Sequence, residues 1–334
     1  NPPVDSAHAR WSQLASATKL FLELLGGFGQ GTGTFGIVKF PGPDPNDLTT
    51  FDVLEPTPIP PATGMKTAKD LIDAIKPFNS TPLGDGIARV VSPGIGYFSS
   101  YNPNGSIAQQ VNRRWLLIFS DGKNNSGAAD PRGFISSTVP GAGGTAAPGA
   151  SLADRHVSAY SVAYGIAGTS QVDSDLMHYL AQGSFNGGRF SQIDTAPNAS
   201  AAQLNASALD LANSLKSAIF SGIGTVTAPT DPRGALALGQ VAQFPVQITS
   251  YDERAAFVLA WEEPFMGLFT LSLITPLGEV ITQNQASRSP GVSFSQEQRY
   301  AMYQVENTFL SNKKDPTKSR FGAWTLVVQR EFND

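Results

Sequence analysis

The most constraining feature of the sequence is an uninterrupted apolar run over residues 115–119, followed by Ser120-Asp121-Gly122. A strand with one face in water alternates apolar and polar residues, whereas a continuous run is typical of a parallel strand covered on both faces. Asp121-Gly122 then favours a turn. We therefore predict a central parallel strand within residues 114–122, with a polar loop at its carboxyl end.

Helix and strand patterns alternate over the first two thirds of the chain. Helical spacing of apolar residues covers 9–25, 67–75, 83–91, 174–182 and 201–220, and strand patterns cover 35–40, 48–54, 114–122, 157–164 and 188–193. This alternation predicts an α/β fold with a doubly wound, mostly parallel sheet. Residues 123–150 are rich in Gly, Ala and Pro and predict a long surface loop, with one helical turn near Pro131.

The last third has a different pattern. After Gly222 the helical period stops, and short strand patterns follow at 241–248, 256–261, 268–275, 279–282, 299–305 and 323–329. Strands at this spacing predict an antiparallel β-sandwich with Trp261 and Trp324 in its core. We therefore expect an α/β domain over 1–222 and a sandwich domain over 223–334, with a linker within 225–234.

Composition excludes several classes of function. The chain has 23 Lys and Arg against 27 Asp and Glu, a net charge of −4, without a basic block, which argues against a dedicated nucleic-acid binder. It contains no cysteine, so disulfides, thiolate metal sites and cysteine nucleophiles are excluded. No apolar run approaches the roughly 20 residues of a transmembrane segment. The low charged fraction of 15% favours an extracellular or cell-surface protein.

Candidate catalytic residues are few. His8, His156 and His178 are the only histidines, and each is predicted to be structural or solvent-facing. Asp173 and Asp175 flank Ser174 and are predicted to cap a helix. Neither Gly-x-Ser-x-Gly nor His-Glu-x-x-His occurs. We do not predict an enzyme, although a hydrolase of unrecognised type or the non-catalytic part of a protease stays an alternative.

Two polar segments could hold a metal. Thr81 stands before a predicted helix, and Asp121 follows the predicted central strand. In an open α/β sheet ligands bind at the carboxyl ends of the strands, and hydroxyl and carboxylate oxygens are ligands that suit Mg²⁺ or Ca²⁺. The alternative is that Thr81 caps its helix and Asp121 only forms a turn. Both interpretations stay open from the residues alone.

The order of these features resembles the von Willebrand factor type A (vWA) domain, over roughly residues 1–222. That family has a metal-ion-dependent adhesion site built from three loops: Asp-x-Ser-x-Ser, a Thr before a helix, and the Asp of a Thr/Ser-Asp-Gly turn. The resemblance implies that Thr81 and Asp121 are metal ligands, that the cofactor is Mg²⁺ or Ca²⁺, and that the partner is a protein ligand with an acidic group.

The chain departs from this pattern at its beginning. No Asp-x-Ser-x-Ser precedes the first predicted helix, because Asp5-Ser6 is followed by Ala7-His8. In the family the motif would end just before Asn1. Three explanations stay open: the first strand and metal loop were removed, were left unresolved, or are supplied by another chain.

The last third carries a second resemblance. Residues 252–261 and Thr275-Pro276-Leu277-Gly278 are similar to segments of calcium-activated chloride channel regulator proteins and their bacterial relatives, in which a β-sandwich follows the vWA domain. We therefore expect an extracellular binding or adhesion module with a divalent-cation site. The alternative is a structural subunit of a surface fibre or layer, which would bind copies of itself by strand addition.

Overall fold

The computed structural model describes residues 10–28, 33–39, 52–59, 62–75, 82–91, 114–120, 123–124, 130–135, 151–165, 172–194, 199–223, 232–312 and 314–331. The described residues of Gly29–Ser214 form one compact unit, the α/β unit. Those of Asn1–Phe28 and Leu215–Asp334 form the other, the two-sheet unit. The first helix thus groups with the last third of the chain. The predicted domain boundary at 222/223 stays a prediction.

Strands and helices alternate irregularly along the chain of the α/β unit. They are β1 (Gly33–Val38), β2 (Asp52–Ile59), α2 (Ala62–Ala74), α3 (Leu83–Val91), β3 (Arg114–Ser120), a 3₁₀ turn (Pro131–Phe134), β4 (Val157–Tyr164), α4 (Ser174–Gln182) and β5 (Arg189–Ile193). Helix α1 (Arg10–Phe28) precedes them, and α5 (Ala201–Ile223) spans the sequence boundary at Leu215.

Three strands form a parallel sheet in the order β3-β4-β5. The register aligns Arg114 with Val157 and Tyr160 with Arg189. Strand β4 lies in the middle, and all but one of its residues are buried. The buried Ser161 hydroxyl donates to the Met177 carbonyl of α4 at 2.6 Å, so this polar group costs little inside the core. The coarse prediction of an α/β fold is confirmed.

The structure shows one neighbour of β3 among the described residues, so its predicted central position stays a prediction. The strand is parallel, as predicted, but in the described part of the chain it lies at the edge of its sheet and pairs with β4 alone. Most of its residues are half-buried. A continuous apolar run indicates that both faces of a strand are covered. The hydrogen-bonded neighbours of a strand lie in the plane of the sheet, so the run could not distinguish an edge strand from a central strand.

Strands β1 and β2 form a separate antiparallel pair, with Gly33 opposite Ile59 and irregular register near Ile37. The described strands of the α/β unit therefore belong to two sheets, one antiparallel and one parallel. These sheets do not identify a vWA domain, and the doubly wound vWA arrangement stays a prediction.

The two-sheet unit contains two antiparallel sheets. Its elements after α5 are β6 (Val241–Ile248), β7 (Arg254–Ala260), β8 (Phe269–Ile274), β9 (Val280–Ile281), α6 (Gln283–Ala286), β10 (Val292–Gln296), β11 (Tyr300–Glu306), α7 (Asn307–Leu310), a 3₁₀ turn (Pro316–Lys318) and β12 (Gly322–Arg330). The sheet orders are β6-β12-β8-β9 and β10-β11-β7.

Both sheets contribute to one hydrophobic core. Trp261 and Trp324 are buried in it, as predicted from the sequence. Phe257 of one sheet lies 5.6 Å from Trp324 of the other, centroid to centroid. The Tyr303 hydroxyl of β11 donates to the Leu271 carbonyl of β8 at 2.9 Å, and burial raises the pKa of this phenol. The hydrogen bond therefore ties the two sheets together.

Strand β10 was not predicted, although Val292 and Phe294 alternate with Ser293 and Ser295 in a recognisable strand period. The following turn between β10 and β11 is short. The alternation of apolar residues with serine, read as alternation of core-facing with solvent-facing residues, would have predicted this strand.

Helix α1 contacts the β10–β11–β7 sheet through polar groups. The Ser295 hydroxyl donates to the Glu23 carboxylate, and the Gln304 amide donates to the Glu23 carbonyl at 2.8 Å. Lys19 lies 3.5 Å from Glu297. The apolar spacing of α1 predicted a buried face, and Leu20, Phe21 and Leu24 of that face are indeed buried. The polar residues Gln13, Ser16, Lys19 and Glu23 are also buried, so α1 is covered on more than its apolar face.

None of the helices that the structure describes is long and apolar enough to cross a membrane.

Candidate functional site

The two predicted metal ligands, Thr81 and Asp121, lie outside the described residues. The structure does describe their immediate neighbours in the chain: Pro82 to Gly84 on one side, and Ser120, Lys123 and Asn124 on the other. We call these neighbours the α3–β3 junction. This junction flanks both predicted ligands in the chain.

Helix α3 begins two residues after position 81. Leu83 is its first residue, as predicted from the proline before it, because proline suits the start of a helix. The Gly86 amide donates to the Pro82 carbonyl at 3.1 Å, which closes the first turn. Leu83 and Ile87 lie in the core of the α/β unit, so packing holds this end of the helix in place.

The end of β3 lies beside the start of α3. The Gly84 backbone amide donates to the Asn124 side-chain carbonyl at 3.1 Å, across 40 positions of sequence. Ser120, the last residue of β3, is buried, whereas Lys123 is exposed. The first amides of a helix have no partner inside the helix, so Asn124 satisfies a group that the backbone of α3 leaves unpaired.

The charges at the junction favour this hydrogen bond. The N-terminus of a helix carries partial positive charge, which the amide oxygen of Asn124 and the acidic Asp85 in the first turn both complement. Asn124 is half-buried and Gly84 is buried, so the bond forms away from bulk water.

A second polar cluster lies on the same unit. The Asp130 carboxylate accepts from the Arg132 amide at 2.9 Å and caps the 3₁₀ turn. The Arg132 guanidinium lies 3.7 Å from the Asp130 carboxylate and 3.9 Å from that of Asp173. Asp173 in turn accepts from the Leu176 amide at 2.9 Å, so it caps α4 as predicted. Arg132 therefore links the carboxylate that caps the 3₁₀ turn to the carboxylate that caps α4.

The histidines within the described residues have structural or exposed positions, as predicted. His178 is exposed, and its ring meets Phe190 edge to face at 5.3 Å. His156 has a positive φ of 53° and stacks on Phe185 at 4.2 Å. His8 lies outside the described residues. Among the residues that the structure places, no group of three or more His, Cys, Asp or Glu could hold a metal ion.

Sequence reasoning missed Asn124 and Arg132. Asn124 stands three positions after Asp121 in a polar loop, and asparagine is a preferred capping residue, which is the signal that could have singled it out. Its partner, however, is an amide from a helix 40 positions away. A local pattern carries no information about that partner.

No protein-family model matches the chain, and searches of curated proteins and of solved structures found no significant match.

Proposed function

We propose that the chain is an extracellular or cell-surface binding module that holds a divalent cation at the carboxyl edge of the parallel sheet, with Thr81 and Asp121 as ligands. A protein ligand would donate an acidic group to the cation. The proposal rests on the donor chemistry of these residues, on the resemblance to the vWA domain, and on one structural observation.

That observation is the hydrogen bond between Gly84 and Asn124. Gly84 is three positions from Thr81, and Asn124 is three positions from Asp121. Contact between these flanking residues is what a shared site requires, since the two proposed ligands come from segments that are distant in sequence. Two segments on opposite ends of the unit would have removed the basis of the proposal.

The donor set fits a hard cation. Thr81 supplies a neutral hydroxyl oxygen and Asp121 a carboxylate oxygen, both of which Mg²⁺ and Ca²⁺ accept. A cation with a single carboxylate ligand keeps residual positive charge, which favours an acidic group on the partner. The cation would supply that electrostatic attraction, and Asn124 would hold the β3 loop against α3.

The direct test is cation binding by the full chain. Isothermal titration calorimetry and thermal unfolding with Mg²⁺, Ca²⁺ or Mn²⁺ should show binding and a raised melting temperature. A ligand at 100 times its Kd stabilises the folded state by about 2.7 kcal/mol. The variants Asp121→Asn and Thr81→Ala should remove the heat signal and the shift.

Asp73→Asn is the matched control, because Asp73 is an exposed carboxylate on α2 of the same unit. It should bind the cation like the unmodified chain. A chain whose melting temperature is equal in EDTA and in millimolar cation, with no calorimetric signal, would refute the proposed site.

The partner is tested separately with an immobilised chain and a short Glu-rich peptide. Binding in Mg²⁺ that is lost in EDTA supports recognition of an acidic group. Equal binding in both buffers, together with full binding by Asp121→Asn, contradicts a cation-dependent mechanism.

A further inference from the structure

An exposed, irregular segment leads into strand β6. It covers residues 232–240, of which all but the half-buried Leu236 are exposed, and residues 232–237 lie in neither helix nor strand. The segment overlaps the end of the linker predicted within 225–234. Exposed irregular backbone is where folded proteins are preferentially cut by proteases, so this segment is a candidate cleavage site.

The backbone at the start of this segment is not used by the fold. Within the described part of the chain, residues 232–235 make no hydrogen bond or ion pair. Attachment begins further along, where the Arg330 guanidinium donates to the Leu236 carbonyl at 3.0 Å and the Gly239 amide donates to the Arg330 carbonyl at 2.9 Å. An extended peptide is recognised through its main-chain groups, so a protease needs backbone that is free in this way.

The bond between Arg233 and Gly234 has the chemistry that one class of protease recognises. Arg233 is exposed, and no described residue pairs with its guanidinium. A Cβ placed on Gly234 would meet nothing within 4 Å, so the space beside the bond is open. Serine proteases of trypsin-like specificity hold a basic side chain in a pocket that contains an aspartate.

The other exposed basic residues of the described part of the chain lie in or beside bonded backbone. They are Lys66 in α2, Lys123 beside the bonded Asn124, Arg132 and Lys318 in the 3₁₀ turns, Arg189 in β5, and Arg288 and Lys314, whose amides donate to the Gln285 carbonyl and to the Asn312 side chain. Arg233 therefore differs from them in combining exposure with backbone that is free on both sides of the residue.

We infer that the Arg233–Gly234 peptide bond is a processing site for an endoprotease of trypsin-like specificity. Hydrolysis breaks the bond between the Arg233 carbonyl carbon and the Gly234 nitrogen. Water supplies a hydroxyl to the carbon and a hydrogen to the nitrogen, and the acid proton then moves to the new amine. The products are residues 1–233 and 234–334.

The two products should stay bound to each other. Helix α1 belongs to the first product and strands β6 to β12 belong to the second, yet both lie in the same compact unit. Contacts of α1 cross the cut: the Gln304 amide donates to the Glu23 carbonyl at 2.8 Å, and Lys19 lies 3.5 Å from Glu297. Lys19 and Glu23 are buried. Cleavage removes one covalent link and leaves these contacts in place.

The first experiment is limited digestion of the full chain with trypsin, followed over time by intact mass spectrometry. We expect the masses of residues 1–233 and 234–334 as the first pair of products. A first cut at any other bond would overturn the inference. The proposed cation site is not involved, so the same first pair should form in EDTA and in Mg²⁺.

Variants at the bond identify the recognised residue. Arg233→Lys keeps a basic side chain and should be cut at the same bond. Arg233→Gln removes the charge and should lose this cut, as should Gly234→Pro, which places a proline directly after the bond. Arg288→Gln is the matched control, an exposed arginine of the same unit, and should be cut like the unmodified chain. Cleavage after position 233 that persists in Arg233→Gln would contradict recognition of the arginine.

A further variant shows whether the folded chain is the substrate. Tyr303→Phe removes a hydrogen bond of the core, far along the chain from the site, and should raise the unfolded population about fivefold. A bond that is cut in the folded state is cleaved at the same rate in this variant and in the unmodified chain. Cleavage that is about fivefold faster in Tyr303→Phe would mean that the cut follows unfolding, which would overturn the inference.

Gel filtration of the cut chain tests the second part of the inference. Both fragments should elute together at the volume of the intact chain and should separate only in denaturant. Fragments that separate in buffer would contradict the role of α1 in holding them together.

Discussion

The contact between Asn124 and Gly84 makes a quantitative prediction about the α3–β3 junction. Asn124→Ala removes the acceptor of a buried helix-terminal amide that lies 3.1 Å away. Loss of a helix cap costs about 1 kcal/mol, and an unsatisfied buried donor costs about 1–3 kcal/mol. We therefore expect the start of α3 to lose about 1–2 kcal/mol of local stability.

Hydrogen–deuterium exchange followed by mass spectrometry measures this loss where it occurs. A change of 1–2 kcal/mol corresponds to a roughly 5- to 30-fold increase in the exchange rate of the first amides of α3. Peptides from β6 to β12 should exchange as before, because they belong to the other compact unit.

Two further variants separate the hydrogen bond from other effects. Asn124→Asp keeps an acceptor and adds negative charge at the positive end of the helix, so protection should be equal or greater. Lys123→Ala changes an exposed neighbour and should leave exchange unaltered. Equal exchange of α3 in Asn124→Ala and in the unmodified chain would refute the assigned role of Asn124, and so would an equal effect of Lys123→Ala.

Three other changes follow from the structure. Tyr303→Phe removes the hydrogen bond between the two sheets and should lower the free energy of unfolding by about 1 kcal/mol. Urea titration measures this loss, and an unchanged unfolding midpoint would contradict the prediction. Gly188→Ala places a Cβ against the backbone carbonyl of Ala159, where the chain cannot yield, and should cost about 3 kcal/mol or more by thermal unfolding. The hydrogen bonds from Arg320 hold the pKa of Glu279 below its ordinary value of 4.5. The ionised carboxylate therefore stabilises the folded state at pH values above 4.5. This stabilisation is lost as the pH falls through the lowered pKa of the folded state. Glu279→Gln should therefore flatten the acid limb of the stability–pH curve, and a curve unchanged between pH 5 and 3 would refute this.

Elements with a strong local signal were predicted closely. Helix α3 at 83–91 and strand β4 at 157–164 have the predicted bounds, as do α4 at 174–182 and β6 at 241–248, and β3 begins at the predicted residue 114. Each of these has a clear apolar period and a proline, glycine or capping residue at an end. Such signals depend only on neighbours along the chain.

The candidate site was only partly accessible to sequence reasoning. The residue types at positions 81 and 121 indicate a hard cation, and that proposal awaits the titration described above. The capping role of Asp173 was predicted because its partner, Leu176, is three residues away. The role of Asn124 was not predicted because its partner lies on another element.

The sequence by itself determined where most of the helices and strands form, which of them carry apolar faces, and that an α/β part precedes a part built of antiparallel strands. Only the tertiary structure decided that β3 is a sheet edge within the described residues and that α1 groups with the two-sheet unit. The physical reason is range. Backbone propensity and amphipathic period act over a few residues, whereas strand neighbours and helix-terminal partners are selected by packing between segments that lie tens or hundreds of positions apart.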